Sequence, residues 1–478
     1  MPVNTPRAEY TRALEKWGRC RDCFDGSDAV KEQGTKYLPE IDERAYKNYL
    51  LRAEFYNATA RTVMGLLGCV FRTRPTVRFP DQLLPDLDDV TLTAKPLEAL
   101  ALQGFQETLL LGRWGVQVEM TDVPPPGMTT PRPYWVPRRA EDIVSWKTVV
   151  MGGQERLARV VFLEQVQEPD PDDPWVDAAV HQCRVLELVG AETGDPIYTI
   201  QRYREARDAR GSVKQGAWEP QGEPFVPLRR GKPLRFIPFQ FFGPSALGSE
   251  IQKPPLLDLV DVNLSHYRTS ADHEHGAHMT SLPTPWVSGV EVGESLPIGS
   301  STAWVLPEPG SRAGMLEYTG DGLGSLERLM AAKQERMAAL GARIIEPQKR
   351  AAETAEALRI RSAAEYSVLS TLALTFDMGI MQLMKMHAWW AGVDDTSELV
   401  GFALNKDYFD TRLPAQDFQA MVAAWQAGAI SHDTLFWNMQ QGELIEPGRT
   451  LPAEQELINA GLGDPGSALV NLDKQEEQ

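Results

Sequence analysis

Between Pro254 and Gly392 the spacing of apolar positions changes several times. Leu257, Val260, Leu264, Tyr267 and Ala271 step by threes and fours, with Asp258, Asp261, Ser265 and Asp272 on the other side, and this spacing predicts a helix from Pro254 to about Thr280. From Ser281 to Gly320 the helical rhythm is lost. Pro283, Pro285, Gly289, Gly293, Pro297, Gly299, Pro307, Pro309 and Gly310 punctuate short runs such as Trp286-Val287 and Thr302–Leu306, which is the chemistry of strands and turns. Helical spacing resumes at Leu326, Leu329, Met330, Met337 and Leu340, and Gly341 and Pro347 interrupt it. From about Glu353 to Ala391 the pattern predicts one long helix with Leu369, Leu372, Phe376, Ile380 and Leu383 on its buried face, roughly 60 Å in length at ~1.5 Å per residue. Two helices around a small β insertion, followed by a third of that length, suit an elongated subunit that lines up beside copies of itself.

The same reading extends to both sides. Residues 7–24 read as a helix with Tyr10, Leu14 and Trp17 on one face. Residues 42–71 read as a second, on Tyr46, Tyr49, Ala53, Tyr56, Ala60, Met64 and Leu67. Residues 96–111 form a third, stopped at Gly112, and Trp114–Met120 alternates as a strand before the proline-rich loop Thr121–Pro133. From Asp142 to Gly243 the signals are β. Gly152-Gly153 joins Val149–Met151 to Leu157–Val166 as a hairpin, and Gly190–Pro196 joins Arg184–Val189 to Ile197–Tyr203. Phe236–Phe242 is a last apolar strand; Glu168–Pro174 and Ser212–Glu223 read as loops. Beyond Gly392 come a short strand at Leu399–Leu404, a helix at Ala415–Ala427, and a further helix N-capped by Ser431.

Composition narrows the function classes. The chain has 478 residues and a formal charge of −18, so it is not a general coat for nucleic acid, whose affinity comes from phosphates neutralised by Lys and Arg. An acidic surface can nevertheless surround a duplex that must slide. Four cysteines do not make a disulfide framework at this length, and the Cys20-x-x-Cys23 pair lies on a predicted helix without a second pair, so it reads as core rather than as a zinc or redox site; Cys69 and Cys183 read as core too. No apolar leader follows Met1, and Val368–Met384, the most apolar long segment, carries Asp377 and Gln382, so no membrane span is expected.

Candidate chemistry is sparse. His266, His273, His275 and His278 are four of the seven histidines. The zinc-protease spacing fails, because Ala277 stands four residues after His273; His275 and His278 with Asp272 or Glu274 supply enough ligand types for a metal, against the plainer reading of a polar helix face at a subunit contact. The acidic groups Asp86/Asp88/Asp89, Asp170/Asp172/Asp173 and Asp394/Asp395 all lie in turn-like segments and read as solvated loops. Neither a phosphate-cradling glycine loop nor a nucleophile elbow is present in the sequence. The break between the last two helices is basic, with Arg343, Lys349 and Arg350, while Arg359 and Arg361 fall at helical spacings from Glu353, Glu356 and Glu365.

The order of these elements resembles the portal (head–tail connector) proteins of tailed bacteriophages. The run from Arg52 to Gly68, then Val70-Phe71-Arg72 and Pro75, resembles one portal-like phage family. Gly112–Gly115, Ala140–Trp146, Glu353–Ala357 with Arg361 and Ser362, and Gly428–Ser431 match in the same order, so the similarity covers nearly the whole chain. The resemblance implies an α+β subunit of a ring, usually of twelve copies, around a DNA channel. By position it implies a wing in residues 1–253, stem helices at 254–280 and 322–340, a clip at 281–321, and a tunnel loop at 341–352. The long wing helix with a returning strand would occupy 353–413, and a helical crown 414–478. Arg343, Gln348, Lys349 and Arg350 would face the DNA. The implied partners are further copies of the chain, double-stranded DNA, the terminase large subunit that supplies the ATPase, a major capsid or scaffolding protein, and a head–tail adaptor. No membrane, cofactor or catalytic residue is implied. The implied location is the portal vertex of the virion, with assembly in the host cytoplasm. Two other readings remain open: a metal-dependent phage hydrolase built on the His266–His278 cluster, and another virion scaffold or adaptor protein.

Overall fold

A computed structural model of the chain describes residues 3–40, 43–124, 130–169, 177–192, 194–207, 213–281, 284–289, 309–316, 322–341, 355–394, 399–406, 415–441 and 449–462, with a few single residues between these stretches. Helices and antiparallel sheets are both extensive, so the fold is α+β. Residues 1–406 form one compact unit and 407–478 another.

The first unit opens with α1 (Ala8–Asp25), which buries Tyr10, Ala13, Trp17, Cys20 and Cys23, and with α2 (Ser27–Glu32). The tract expected as one helix over 42–71 is two, α3 (Glu43–Arg52) and α4 (Ala58–Val70). The cause is local capping supported from a distance. The Asn57 side chain accepts the Ala60 N–H at 2.9 Å, and fully buried Asn263 donates to the Tyr56 carbonyl at 2.7 Å while accepting from the Thr59 N–H and hydroxyl. The apolar rhythm runs straight through this break at Ala53 and Tyr56, although the structure buries Phe55 there and leaves Tyr56 partly exposed.

Next come β1 (Thr76–Arg78), α5 (Leu97–Leu111), β2 (Trp114–Met120) and β3 (Pro133–Arg139). Gly112 ends α5 as expected, at φ 71° with its N–H on the Thr108 carbonyl. A five-stranded antiparallel meander follows in sequence order: β4 (Ile143–Met151), β5 (Gln154–Pro169), β6 (Asp177–Val189), β7 (Ile197–Arg207) and β8 (Val213–Pro220). Both predicted hairpins are present. The Gly152-Gly153 turn has φ of 58° and 77°, the left-handed pair that a two-residue turn requires. Strand β8 replaces most of the loop expected over Ser212–Glu223. Its own alternation is weak, and it is pairing with β7, Arg204 opposite Glu219 and Glu205 opposite Trp218, that makes it a strand. The small hairpin β9 (Leu228–Arg229) and β10 (Lys232–Pro233) leads to β11 (Phe239–Phe242), which joins a three-stranded sheet in the order β11-β2-β3.

The remainder of the unit is α6 (Leu257–Ser281), β12 (Thr284–Ser288), β13 (Arg312–Leu316), α7 (Leu323–Leu340), α8 (Ala355–Trp390) and β14 (Gly401–Ala403), the last paired with β1. Helix α8 has 36 residues, about 54 Å. All five residues expected on its inner face are buried. Phe376 meets Phe105, Trp114 and Phe242 at centroid distances of 5.4, 6.1 and 5.1 Å. This contact needs Gly379, where a Cβ would lie 2.3 Å from the Phe242 ring. Burying aromatic side chains of this size contributes about 1.5–3 kcal/mol each.

In the second unit α9 (Ala415–Gln426), α10 (His432–Gln441) and α11 (Leu451–Leu462) are helical, and α11 was not anticipated from sequence. Ser431 caps α10 as expected, its hydroxyl accepting the Thr434 N–H at 3.1 Å.

Candidate functional site

The region that carries the candidate function runs from α6 to α8. Helices α6 and α7 pack antiparallel: Gly341 lies against Leu259, Lys333 against Ser265, Gln334 against His266, Glu327 against His273, and Leu323 against Gly276. Low numbers on α6 meet high numbers on α7, so the chain leaves along α6 and returns along α7. Between them β12 and β13 pair antiparallel from Thr284–Leu316 to Ser288–Arg312, which confirms a β-type insertion between two helices. Most of the central part of the insertion, including Thr302, Ala303 and Val305, lies outside the described residues.

The seam between α6 and α7 is polar. The Lys333 ammonium donates to the Ser265 carbonyl at 2.9 Å and to the Thr269 hydroxyl. Burial, and then Arg268, holds the Lys333 pKa below the ordinary lysine range. Burial, and then Lys333, likewise lowers that of His266. Helix α6 is tied to the N-terminal helices by Asn263, by the Tyr49 hydroxyl donating to Asp272 at 2.6 Å, by Arg19 on Asp261 at 2.6 Å, and by Arg52 against the His278 ring at 2.9 Å.

The structure disperses the four histidines. His266 meets Gln334 and Tyr56, His273 lies 3.4 Å from Glu327, His275 meets the Tyr49 ring edge-on, and His278 meets Arg52. Among the described residues no group of three or more His, Cys, Asp or Glu side chains is placed to hold a metal ion. Cys20 and Cys23 are fully buried free thiols; burial pushes Cys20 up to about 12 and Cys23 upward as well, so neither is a ready nucleophile or ligand. Cys183 is buried, whereas Cys69, expected in the core, is only half-buried. No described helix is long and apolar enough to cross a membrane.

The candidate DNA-facing residues Arg343, Gln348, Lys349 and Arg350 lie outside the described residues. So do Asp170, Asp172 and Asp173. Gly341, the first residue of the predicted loop, is described. A Cβ there would lie 2.5 Å from Thr62 and 2.7 Å from Leu259, so the end of α7 is fixed against α4 and α6 by close approach.

Other anchors of α8 were not read from sequence. Asp86, expected in a solvated loop, is buried and accepts from His387 Nε2 at 2.9 Å, with Arg132 beyond it at 3.7 Å and Asp89 3.1 Å from Arg132. The only signal was a histidine at the end of an apolar helix. Asp377 is buried as well, accepting the Leu404 N–H at 2.9 Å and the Lys406 ammonium at 2.6 Å. Burial raises its pKa against the opposing pull of Lys406. Asp394 fulfils the expectation of an exposed acid, although it is paired with Arg229 and Arg230.

A cavity of about 1160 Å³ is lined by Arg132, Tyr134, Arg184, Arg202, Phe225 and Trp390, among others. Arg132 and Arg184 are committed to Asp86, Asp89, Glu119 and Glu164, so these two lining arginines are ion-paired rather than open anion-binding cations.

A family model described as a domain of unknown function, DUF4055, matches residues 255–391, from the start of α6 to the end of α8. No curated protein matches the chain. Among solved structures, a chain from the "Neck of native GTA particle computed with C12 symmetry" is similar at 12% identity, covering 80% of this chain and 89% of its own, with a TM-score of 0.37. A chain from the "Neck of empty GTA particle computed with C6 symmetry" is similar at 13% identity, covering 81% and 91%, with a TM-score of 0.38. At these scores the likeness transfers neither fold nor role to this chain.

Proposed function

We propose that this chain is a portal-type subunit: a ring at one capsid vertex through which double-stranded DNA enters and leaves, and onto which the packaging ATPase and the tail adaptor dock. The observation that supports this most is the order helix–β-hairpin–helix–long helix, with α6 and α7 antiparallel and β12 and β13 paired between them. In a portal subunit this pair is the stem, the hairpin the clip, and the segment 341–352 the loop nearest the DNA. The net charge of −18 gives copies that repel a duplex overall, and Arg343, Lys349 and Arg350 supply local, transient phosphate contacts. Translocation energy comes from the docked terminase, because the sequence has no phosphate-cradling motif of its own. The dispersal of the histidines leaves the hydrolase reading without a metal-ligand set among the described residues.

The native mass of the purified chain tests the reading. A species near twelve times 53.2 kDa with a central hole is expected, and a protein that stays monomeric in solution and is absent from the vertex of assembled particles overturns it. Within an assembled ring, Lys349→Ala with Arg350→Ala is expected to lower packaged DNA without changing ring formation. Normal packaging yield from that double variant would remove these residues from the channel contact.

A further inference from the structure

We propose that the histidines toward the C-terminal end of α6 form an acid-operated hand-over, in which protonation frees this end of the helix from the last turn of α3 and fastens it to α7. The inference stands on contacts within one chain and does not depend on the ring reading.

His278 and His273 are placed to respond to a proton in opposite ways. His278 Nε2 lies 2.9 Å from a guanidinium nitrogen of Arg52, the last residue of α3. A guanidinium only donates and does not lose its charge, so the ring nitrogen is the acceptor in this bond. A neutral imidazole with its proton on Nδ1 offers that acceptor. Once Nε2 takes up a proton, donor faces donor and cation faces cation, and the contact opens. His273 stands between two carboxylates instead. Its Nε2 is 3.4 Å from Glu327 on α7, and its Nδ1 is 3.7 Å from Glu274 on its own helix. Protonation turns both approaches into ion pairs, and the His273 side chain is only 18% exposed, so water screens them weakly.

The remaining neighbours keep the two responses apart. His275 lies between them, edge-on to the Tyr49 ring at 5.4 Å, and its enclosed Nδ1 meets no hydrogen-bond partner among the described residues, so a proton there finds no acceptor. The Tyr49 hydroxyl donates to Asp272 at 2.6 Å, and burial, together with Asp272, pushes its pKa upward, so this bond persists while imidazoles titrate. It tethers α3 one turn before Arg52. Tyr46 of α3 donates to the Leu38 carbonyl at 3.0 Å, and Arg328 of α7 lies over Gly324 of its own helix, so neither is spent on these rings. His278 is three residues from the end of α6, and β12 begins at Thr284. The hand-over therefore sets whether the base of the β insertion is fastened to the N-terminal helices or to α7.

Hydrogen exchange, corrected for intrinsic rates and compared at about pH 8 and about pH 5.5, tests this. In the wild-type chain, protection in the last turn of α3 is expected to fall roughly tenfold on acidification, while protection around Glu327 rises. His278→Gln supplies an amide oxygen that accepts from Arg52 at either pH, and Arg52→Gln supplies one that accepts from a protonated His278. Both variants are expected to flatten the α3 response, and because they act from opposite sides of the bond, poor packing of one does not spoil the test. His273→Gln is expected to keep the α3 response and to lose the gain around Glu327. Equal α3 protection at the two pH values in the wild-type chain overturns the proposal. So does a wild-type response in both glutamine variants of the Arg52–His278 pair, or loss of the α3 response in His273→Gln.

Discussion

Helices α6 and α8 are both long and both packed into the same unit, yet the balance of what holds them differs: α8 has polar clasps at Asp377 and His387 but is seated mainly along an apolar face. The apolar face of α8 has Leu369, Leu372, Phe376, Ile380 and Leu383 buried, and Phe376 is packed among three aromatic rings. Helix α6 buries Asn263, His266, Thr269 and Ser270 beside its leucines and is fixed by directed bonds to Thr59, Tyr56, Tyr49 and Lys333. Apolar burial is strong but permits sliding, whereas hydrogen bonds specify register. The contrast suits a long helix packed beside an antiparallel pair, α6 and α7, held in register along its length by directed bonds.

The comparison can be broken at its strongest point first. Phe376→Ala is expected to destabilise the first unit by about 3–5 kcal/mol, since the Phe242 and Trp114 rings are already seated in close approach to Gly379 and Gly104 and the cluster cannot close the cavity; denaturant unfolding followed by tryptophan fluorescence measures it. A loss near zero would mean that α8 is not the apolar anchor. Asp86→Ala leaves buried His387 and Arg132 without their shared acceptor, and a loss of about 3 kcal/mol is expected, with faster hydrogen exchange in the last turn of α8. If exchange there is unchanged, the polar clasp contributes nothing to the seating of the helix.

On the α6 side the effects are smaller and more local. Asn263→Ala removes the side-chain donor to the Tyr56 carbonyl, which keeps the Ala58 N–H, and the side-chain acceptor of the Thr59 N–H, at about 1–3 kcal/mol, and is expected to raise exchange at the start of α4. Protection at α4 equal to wild type would show that Asn57 alone sets the break. The smallest effect is on pH. His266 has a folded pKa below its unfolded value, so the unfolded chain takes up the proton first as pH falls. Stability contributed by the neutral ring is therefore full above the unfolded pKa and is lost as pH falls through about 6.5 toward the folded value. His266→Gln is expected to flatten thermal midpoints between pH 7.5 and 5.5, and an unchanged slope would place the acid sensitivity elsewhere.

Much of this was legible in the chain. Strong periodicity located α1, α5, α6, α7 and α8 within a few residues, and paired glycines located the β4–β5 turn, because burial of one face and positive φ are both written locally. The candidate loop residues were legible only as a basic break, and Arg343, Gln348, Lys349 and Arg350 lie outside the described residues. The break between α3 and α4 was hidden, since Ala53 and Tyr56 keep the apolar rhythm while Asn263, two hundred residues later, supplies hydrogen bonds that fix the start of α4. Asp86 read as a loop acid because its partner, His387, is three hundred residues away.

By itself the sequence determined where the long helices run, which faces they bury, and that the net charge is strongly negative, because these follow from residue spacing and counts. Only the tertiary structure decided that four neighbouring histidines go four separate ways, that β8 is a strand, and that Asp86, Asp377 and Asn263 are anchors. A polar side chain's role depends on which partner the fold brings within hydrogen-bonding distance, and that partner is set by packing rather than by neighbours along the chain.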